Sequence, residues 1–530
     1  MAGQIRARVT CHRLCGACNM RDTQEAFDYI IVGAGSAGCV IAARLSEDAS
    51  CRVLLLEGGG SDDHPDVRDP SRWPTLFYGD LDWGWKTQPL RSCFGRVDHV
   101  PRGKMLGGCH SHNASAWVRG HPGDFDSWAY AGCPGWGWAD VLPVFKRIED
   151  WQGPSGGLRG TGGPMHVTPP VDPNPLSTAF IEGARSAGLP LLDDINGPDR
   201  LGVGYFNFTV KAGQRFTVVD GYLRPALSRT NLTVYTNAEA DRLIFDGTRC
   251  TGVEFRQGGE VKRALATSEV ILSAGAIGSP RILLLSGVGP EDDLKALNIP
   301  VAVDLPGVGR NLQDHPLLAG LVYESRGPLP PVSNNGAEST LWWKSDPRLT
   351  VPDIQPVFIE FPLASPELVS RLPHDQCYTI SPSVVRPASR GTVTLACSDP
   401  TAAPLIDVNF LSRDADVRAM LVALELCREI GASDAFQPFR AREIMPGPLG
   451  RSEMVEFIRN AVSTYFHPTS TCSMGHGPMA VVDHELKVHG LDGLRVADAS
   501  IMPTVTSGNT NAPCVMIGER AAGFIRSGEA

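Results

Sequence analysis

Apolar positions gather early in the chain into short runs. Residues 29–32 read Tyr-Ile-Ile-Val and residues 53–56 read Val-Leu-Leu-Leu. Runs of four bounded by glycine or polar residues predict buried strands. Between them, residues 37–46 carry apolar side chains at helical spacing and predict an amphipathic helix. Residues 415–430 repeat that period over a longer span and predict another helix. Residues 392–395 and 405–408, rich in Thr, Val, Leu and Ile, predict strands of a second sheet. The Gly- and Pro-rich stretch 151–175 reads as a segment crossing between domains. No apolar run approaches the length of a membrane span, so no membrane partner is expected.

Turn chemistry sharpens the first strand–helix–strand unit. Gly33, Gly35 and Gly38 come after the first run in G-x-G-x-x-G spacing, and Glu57 ends the second run. Gly33 permits the tight turn, Gly35 lets backbone approach a pyrophosphate, and Gly38 lets helix and strand pack closely. Ser36 precedes the helix, which begins at about Ala37 and whose free N–H groups and partial positive charge suit a diphosphate. Glu57 sits where a carboxylate would accept hydrogen bonds from a ribose diol. The unit therefore predicts a Rossmann-like dinucleotide-binding fold.

Composition changes the picture little. A hydrophobic fraction of 42% and a charged fraction of 20% over 530 residues fit a globular protein of two or more domains. A net charge of −10, with no basic stripe, argues against a nucleic-acid partner. Fourteen scattered cysteines fit a reducing, cytoplasmic compartment. The sequons at Asn207 and Asn231 carry no weight there. Residues 1–25 read as a tail. Within it Cys11, Cys15 and Cys18 have C-x3-C-x2-C spacing, which an iron–sulfur cluster could use, but the chain beyond residue 25 reads as a dinucleotide fold.

Candidate chemistry lies further on. Aromatics cluster at Trp73, Phe77, Tyr78, Trp83 and Trp85, as cavity lining or as core. Residues 101–113 (PRGKMLGGCHSHN) form a glycine-rich loop with basic residues and two histidines, able to hold phosphates through backbone N–H groups. With the opening motif, this loop resembles the glucose–methanol–choline family of flavin oxidoreductases. Residues 275–280 (GAIGSP) and 286–289 (SGVG) resemble the family's second signature. Residues 215–225 (RFTVVDGYLRP), 311–316 (NLQDHP), 389–393 (SRGTV) with Asp399-Pro400, and 465–512 add further matches in the family's order.

The resemblance implies an α/β fold: a Rossmann-like FAD domain and a second α+β substrate domain on an antiparallel sheet. It places the FAD domain at 26–160, 202–316 and 461–530, and the substrate domain at 161–201 and 317–460. It implies FAD as cofactor, held by Gly33, Gly35, Ser36, Ala37, Gly38, Glu57, Arg102, Met105, Gly107, Gly108, His112, Asn113, Ala114, Ala238, Ala274, Asp498, Ala499, Asn511 and Ala512. Asp498 has a second reading as an N-cap. His467 and Asn511 match the family's pair beside the flavin ring. Oxidising an alcohol removes a hydroxyl proton and a carbinol hydride. Flavin N5 takes the hydride, His467 takes the proton, and Asn511 hydrogen-bonds the substrate oxygen.

His112 matches the histidine that choline oxidases join to the flavin 8α-carbon, so covalent attachment and a hydrogen-bonding histidine both stay open. His110 departs from the serine of that pattern and places a second imidazole nearby. Leu317 stands where choline oxidases carry an acid, which leaves Trp342, Trp343 and Glu360 as candidates for holding a quaternary ammonium. The expected partners are a small alcohol, most simply a primary one, and O2 or another electron acceptor. A homodimer is admitted. Hydroxynitrile lyases, which use the same fold and histidine without net redox, are the alternative, and a flavin-bound scaffold without turnover is a third reading.

Overall fold

The computed structural model describes residues 26–154, 156–373 and 376–528. Cys11, Cys15 and Cys18 lie outside them. Two sheets organise the chain. In the first, Leu232–Tyr235, Val53–Leu56, Ala26–Val32 and Glu260–Leu272 run parallel in that order. The 13-residue strand Glu260–Leu272 then serves two neighbours. Its first half pairs with the antiparallel meander Ala238–Asp246 and Arg249–Gln257, and its last three residues pair in parallel with Leu494–Val496. Ile30, Ile31, Leu54, Leu55, Val270 and Ile271 are fully buried. Both faces of these strands are covered, which is why their sequences are continuous apolar runs without alternation.

The helix Ser36–Leu45 comes directly after the first strand and packs on the C-terminal helix Asn511–Gly528. Glycine is required at two points. Gly33 has φ +101°, and a Cβ there would stand 2.5 Å from the carbonyl oxygen of Ser273, just past the end of the neighbouring strand Glu260–Leu272. A Cβ on Gly38 would stand 1.9 Å from the Gly33 carbonyl oxygen, so helix and strand could not close.

The second sheet has six antiparallel strands, in the order Arg440–Met445, Val322–Ser325, Cys377–Ser381, Val357–Ile359, Ser339–Trp342 and Gly202–Tyr205. The helices Pro175–Ser186 and Asp414–Ala432 cover one face. Phe358 points to them and packs with Phe180, Tyr378 and Phe436. Its neighbours Val357 and Ile359 face the opposite way, into a cavity between the sheets, as the two-residue period of a strand requires.

Two expectations fail here. Gly202–Tyr205, expected in the cofactor domain, is the edge strand of the second sheet, recruited by Ser339–Trp342. Thr392–Thr394 and Leu405–Asp407 are strands, but they form a separate two-stranded ribbon, tied to the rest by an isolated bridge from Ile406 to Thr87, and do not join the second sheet. Among the described residues, no helix is long and apolar enough to cross a membrane.

Candidate active site

The cavity between the sheets measures about 510 Å³. At one end it is lined by Gly33, Gly35, Ser36, Ala37 and Glu57 from the opening unit, and by Arg102, Gly108, His112, Asn113 and Ala114 from the glycine-rich loop. Ala238, Ala274, Asp498, Ala499 and Asn511 line it as well. Gly38, Met105, Gly107 and Ala512, expected among the contacts, do not line it. They stand behind the wall: Gly38 against Gly33, Met105 in a small core with Val67 and Leu76, and Gly107 donating its N–H to the Ala34 carbonyl. All five clustered aromatics, Trp73, Phe77, Tyr78, Trp83 and Trp85, do line it.

This end suits a dinucleotide. The helix Ser36–Leu45 has Gly35 at its N-cap with no side-chain capping bond, so its first N–H groups face the cavity uncapped. The Glu57 carboxylate accepts from the Ala34 and Gly59 N–H groups, each at 2.8 Å. Burial nevertheless pushes its pKa up to about 7, a polarity that a ligand hydroxyl would relieve. Ser36 Oγ donates to Asn511 Oδ1 at 2.7 Å, while Asn511 Nδ2 is buried with no partner among the described residues. A buried unmatched donor is costly, and a carbonyl on a flat heterocycle would satisfy it. Asp498 is already committed. It accepts from the Gly275 and Ser500 N–H groups and from Ser279 Oγ and caps Ala499–Ile501, so its carboxylate orders the wall.

The other end is built by two stretches 150 residues apart. Pro316–Leu318 pairs antiparallel with Val462–Thr464, and the Tyr465 N–H donates to the His315 carbonyl at 2.9 Å. This register sets His315 beside His467, with their Nδ1 atoms 3.0 Å apart. Asp314 accepts from Thr464 Oγ1 at 2.6 Å and from the His467 N–H at 2.9 Å, and Arg102 Nη2 donates to the Phe466 carbonyl at 2.7 Å. These bonds hold Phe466 at φ +68°, a conformation that disfavours a bulky residue, and so aim the His467 ring into the cavity.

His467 meets Asn509, whose Nδ2 lies 3.2 Å from His467 Nε2. The expected partner was Asn511. That residue is the first of the C-terminal helix and its side chain is held by Ser36, whereas Asn509 lies in the preceding turn and faces the histidine. Gln355 Nε2 donates to Asn509 Oδ1 at 3.2 Å, which leaves the Asn509 amide N–H groups for His467. With Nε2 accepting from Asn509, His467 carries its proton on Nδ1 and donates it to His315. Burial, with His315 and Arg102 beside it, holds His467 well below the ordinary histidine range, so it is neutral with a lone pair on Nε2.

His112 lines the cavity with its ring 4.9 Å from that of Phe77. Its Nε2 donates to the Leu76 carbonyl at 3.1 Å, leaving the lone pair on Nδ1, and burial lowers its pKa to about 4. His110 is not the second cavity imidazole anticipated. It is fully buried, bonded to Thr209 Oγ1 and to the Val218 N–H. Trp342, Trp343 and Glu360 also lie off the cavity. Trp342 Nε1 donates to the Ser507 carbonyl, and Glu360 accepts from Asn174 and Ser333.

Sequence comparison gives this geometry its family. The GMC oxidoreductase family matches residues 27–317 with its N-terminal region and residues 387–518 with its C-terminal region.

The chain belongs to the GMC oxidoreductase family.

It is similar to human mitochondrial choline dehydrogenase, 38% identical over 95% of this chain and 90% of that protein. It is 39% identical to the oxygen-dependent choline dehydrogenase of Sinorhizobium fredii, over 94% of this chain and 95% of that protein. Among solved structures, pyridoxine 4-oxidase from Mesorbium loti superposes with a TM-score of 0.91 at 37% identity, covering 94% of this chain and 99% of the other. This GMC protein is thus an FAD-dependent oxidoreductase acting on a CH–OH substrate, with a Rossmann-like FAD domain and a second α+β domain. Sequence reasoning missed Asn509 and the part played by His315. Asn509 stands two residues from Asn511 in the same motif, and no local signal separates them.

Proposed function

We propose that this protein oxidises a primary alcohol to the aldehyde, with His467 as base and Asn509 as the group that orients the substrate oxygen. The reading rests on one observation: a neutral imidazole on the cavity wall whose Nε2 accepts from the Asn509 amide N–H, so that a substrate hydroxyl arriving between them would give its proton to Nε2 and take over the Asn509 donor. FAD, when bound, supplies the hydride acceptor. The substrate hydroxyl approaches His467 Nε2 and gives up its proton there. The charge gained by the ring is shared with His315 through the Nδ1 contact. Asn509 donates to the oxygen as negative charge develops, which lowers the barrier without adding a fixed charge. The buried position of His467 keeps water from competing for the proton.

Similarity to choline dehydrogenases and to pyridoxine 4-oxidase supports a CH–OH substrate, and the names of these relatives differ in the molecule oxidised. We take O2 or another small acceptor to reoxidise the cofactor, and the cytoplasm as the compartment that the cysteine usage suits. The deciding experiment mixes yellow protein anaerobically with primary, aromatic and amino alcohols and then admits air. Bleaching that recovers in air establishes an oxidase. Bleaching that persists until an artificial acceptor is added establishes a dehydrogenase. Cyanohydrin cleavage without bleaching would overturn the proposal in favour of a lyase. Acid precipitation separates a flavin bonded to His112, which stays in the pellet, from one held by hydrogen bonds alone.

A further inference from the structure

Around His467 the cavity wall is apolar. Phe206, Leu317, Val357, Ile359, Phe361 and Leu363 line it, contributed by the second sheet and the segments beside it. Among the described residues, four carboxylates line the cavity: Glu57, Asp98, Glu239 and Asp498. Each is already engaged: Glu57 with two backbone N–H groups, Asp98 with Arg96, Glu239 with Arg256 and Arg281, and Asp498 with Gly275, Ser279 and Ser500. The fixed charge beside His467 on the cavity wall is the Arg102 guanidinium, bonded to the Phe466 carbonyl. Its nearby acid, Asp314, is turned away onto Thr464 and the His467 backbone and does not line the cavity. The aromatic rings there, Trp73, Phe77 and Phe466, pack on one another with centroids 5.1 to 6.3 Å apart. A cation brought to this wall would lose its water, meet no unengaged carboxylate among the described residues and face a guanidinium.

On this wall the Tyr465 hydroxyl is left without a well-formed hydrogen bond among the described residues. Tyr465 is buried, with its ring 4.7 Å from that of His467. Its hydroxyl lies beside the Asn509 side chain. An orphaned hydroxyl in an apolar wall is costly unless a ligand fills it.

We propose that the cavity selects an uncharged, largely apolar primary alcohol over a cationic one, and that the Tyr465 hydroxyl is a specificity-determining contact to the substrate oxygen beside Asn509. This rests on the alcohol-oxidising reading and narrows its substrate class. It separates this chain from the molecule named by its choline dehydrogenase relatives.

The test compares two alcohols of one shape, choline and 3,3-dimethylbutan-1-ol, by anaerobic flavin reduction in the loaded protein, with benzyl alcohol as a further neutral substrate. The neutral isostere is expected to exceed choline in kcat/KM by at least about tenfold, the scale of one unpaired charge beside a guanidinium in a dry site. Choline equal or better would overturn the assignment while leaving alcohol oxidation intact. Reduction by none of the three, in protein whose flavin dithionite does bleach, would overturn the proposed activity and this assignment with it. Tyr465→Phe, which keeps the ring, is expected to lose about fivefold in kcat/KM for the neutral alcohols, the scale of one neutral hydrogen bond, at unchanged flavin content and Tm. Wild-type kinetics in that variant would remove Tyr465 from the substrate site.

Discussion

Asn509 and Asn511 can be told apart by paired substitutions. Asn509→Ala removes the N–H that faces His467 Nε2 at 3.2 Å and the contact to Gln355. In the ground state this costs one long, neutral hydrogen bond, of order 1 kcal/mol. In the transition state the same N–H faces an oxygen gaining negative charge, and removing such a donor slows reactions by about 10²–10³. The rate of anaerobic flavin reduction should therefore fall about a hundredfold, close to 2.7 kcal/mol, with little change in Tm. Asn511→Ala removes the bond from Ser36 and the orphaned Nδ2 at the cofactor end. It should weaken FAD binding about fivefold, the scale of one hydrogen bond, while reduction in the fully loaded variant stays within a few-fold of wild type. Stopped-flow reduction and a fluorescence titration of apoprotein with FAD measure the two quantities separately. Reversed results, with Asn511→Ala slow and Asn509→Ala normal, would refute the assignment drawn from the geometry.

The remaining predictions concern pH and packing. Because burial, His315 and Arg102 hold His467 well below the ordinary 6.5, its base form persists as pH falls. The acid limb of kcat/KM should therefore lie clearly below pH 6.5, and a limb centred at or above that value would remove His467 as the base. His467→Ala should slow flavin reduction by about a hundredfold or more, and a near-normal rate would do the same. Glu360 is raised to about 8 by burial, with Glu338 beside it. A raised carboxyl stabilises the fold fully below its unfolded value near 4.5, and this contribution is lost as pH rises through about 8. Glu360→Gln should thus show a flatter Tm between about pH 5 and 8 than wild type in calorimetry, and parallel curves would contradict that origin. Gly38→Ala must push helix from strand, since its Cβ would fall 1.9 Å from the Gly33 carbonyl oxygen. A loss of about 3 kcal/mol or more and colourless protein are expected, and a yellow variant of normal Tm would show that the contact relaxes.

The sequence by itself determined the opening strand–turn–helix–strand unit. Its signals are local: a four-residue apolar run leaves little choice but a buried strand, and glycine at 33 and 38 marks where backbone must approach backbone. It also singled out His467, through the order of motifs along the chain, and the fold sets that residue on the cavity wall beside Asn509. Tertiary structure alone decided the rest. Whether Asn509 or Asn511 meets the histidine depends on where the last helix begins, and Ser36, 475 residues away in sequence, holds Asn511 at that start. Val357 and Ile359 face the cavity while Phe358 faces the helices because pairing with Cys377–Ser381 and Ser339–Trp342 fixes the register. Gly202–Tyr205 joins the second sheet because its partner strand, Ser339–Trp342, lies far along the chain and reaches it only on folding. Local periodicity says that a strand exists and that its faces differ. Which face becomes the substrate wall is settled by hydrogen bonds to segments that only folding brings together.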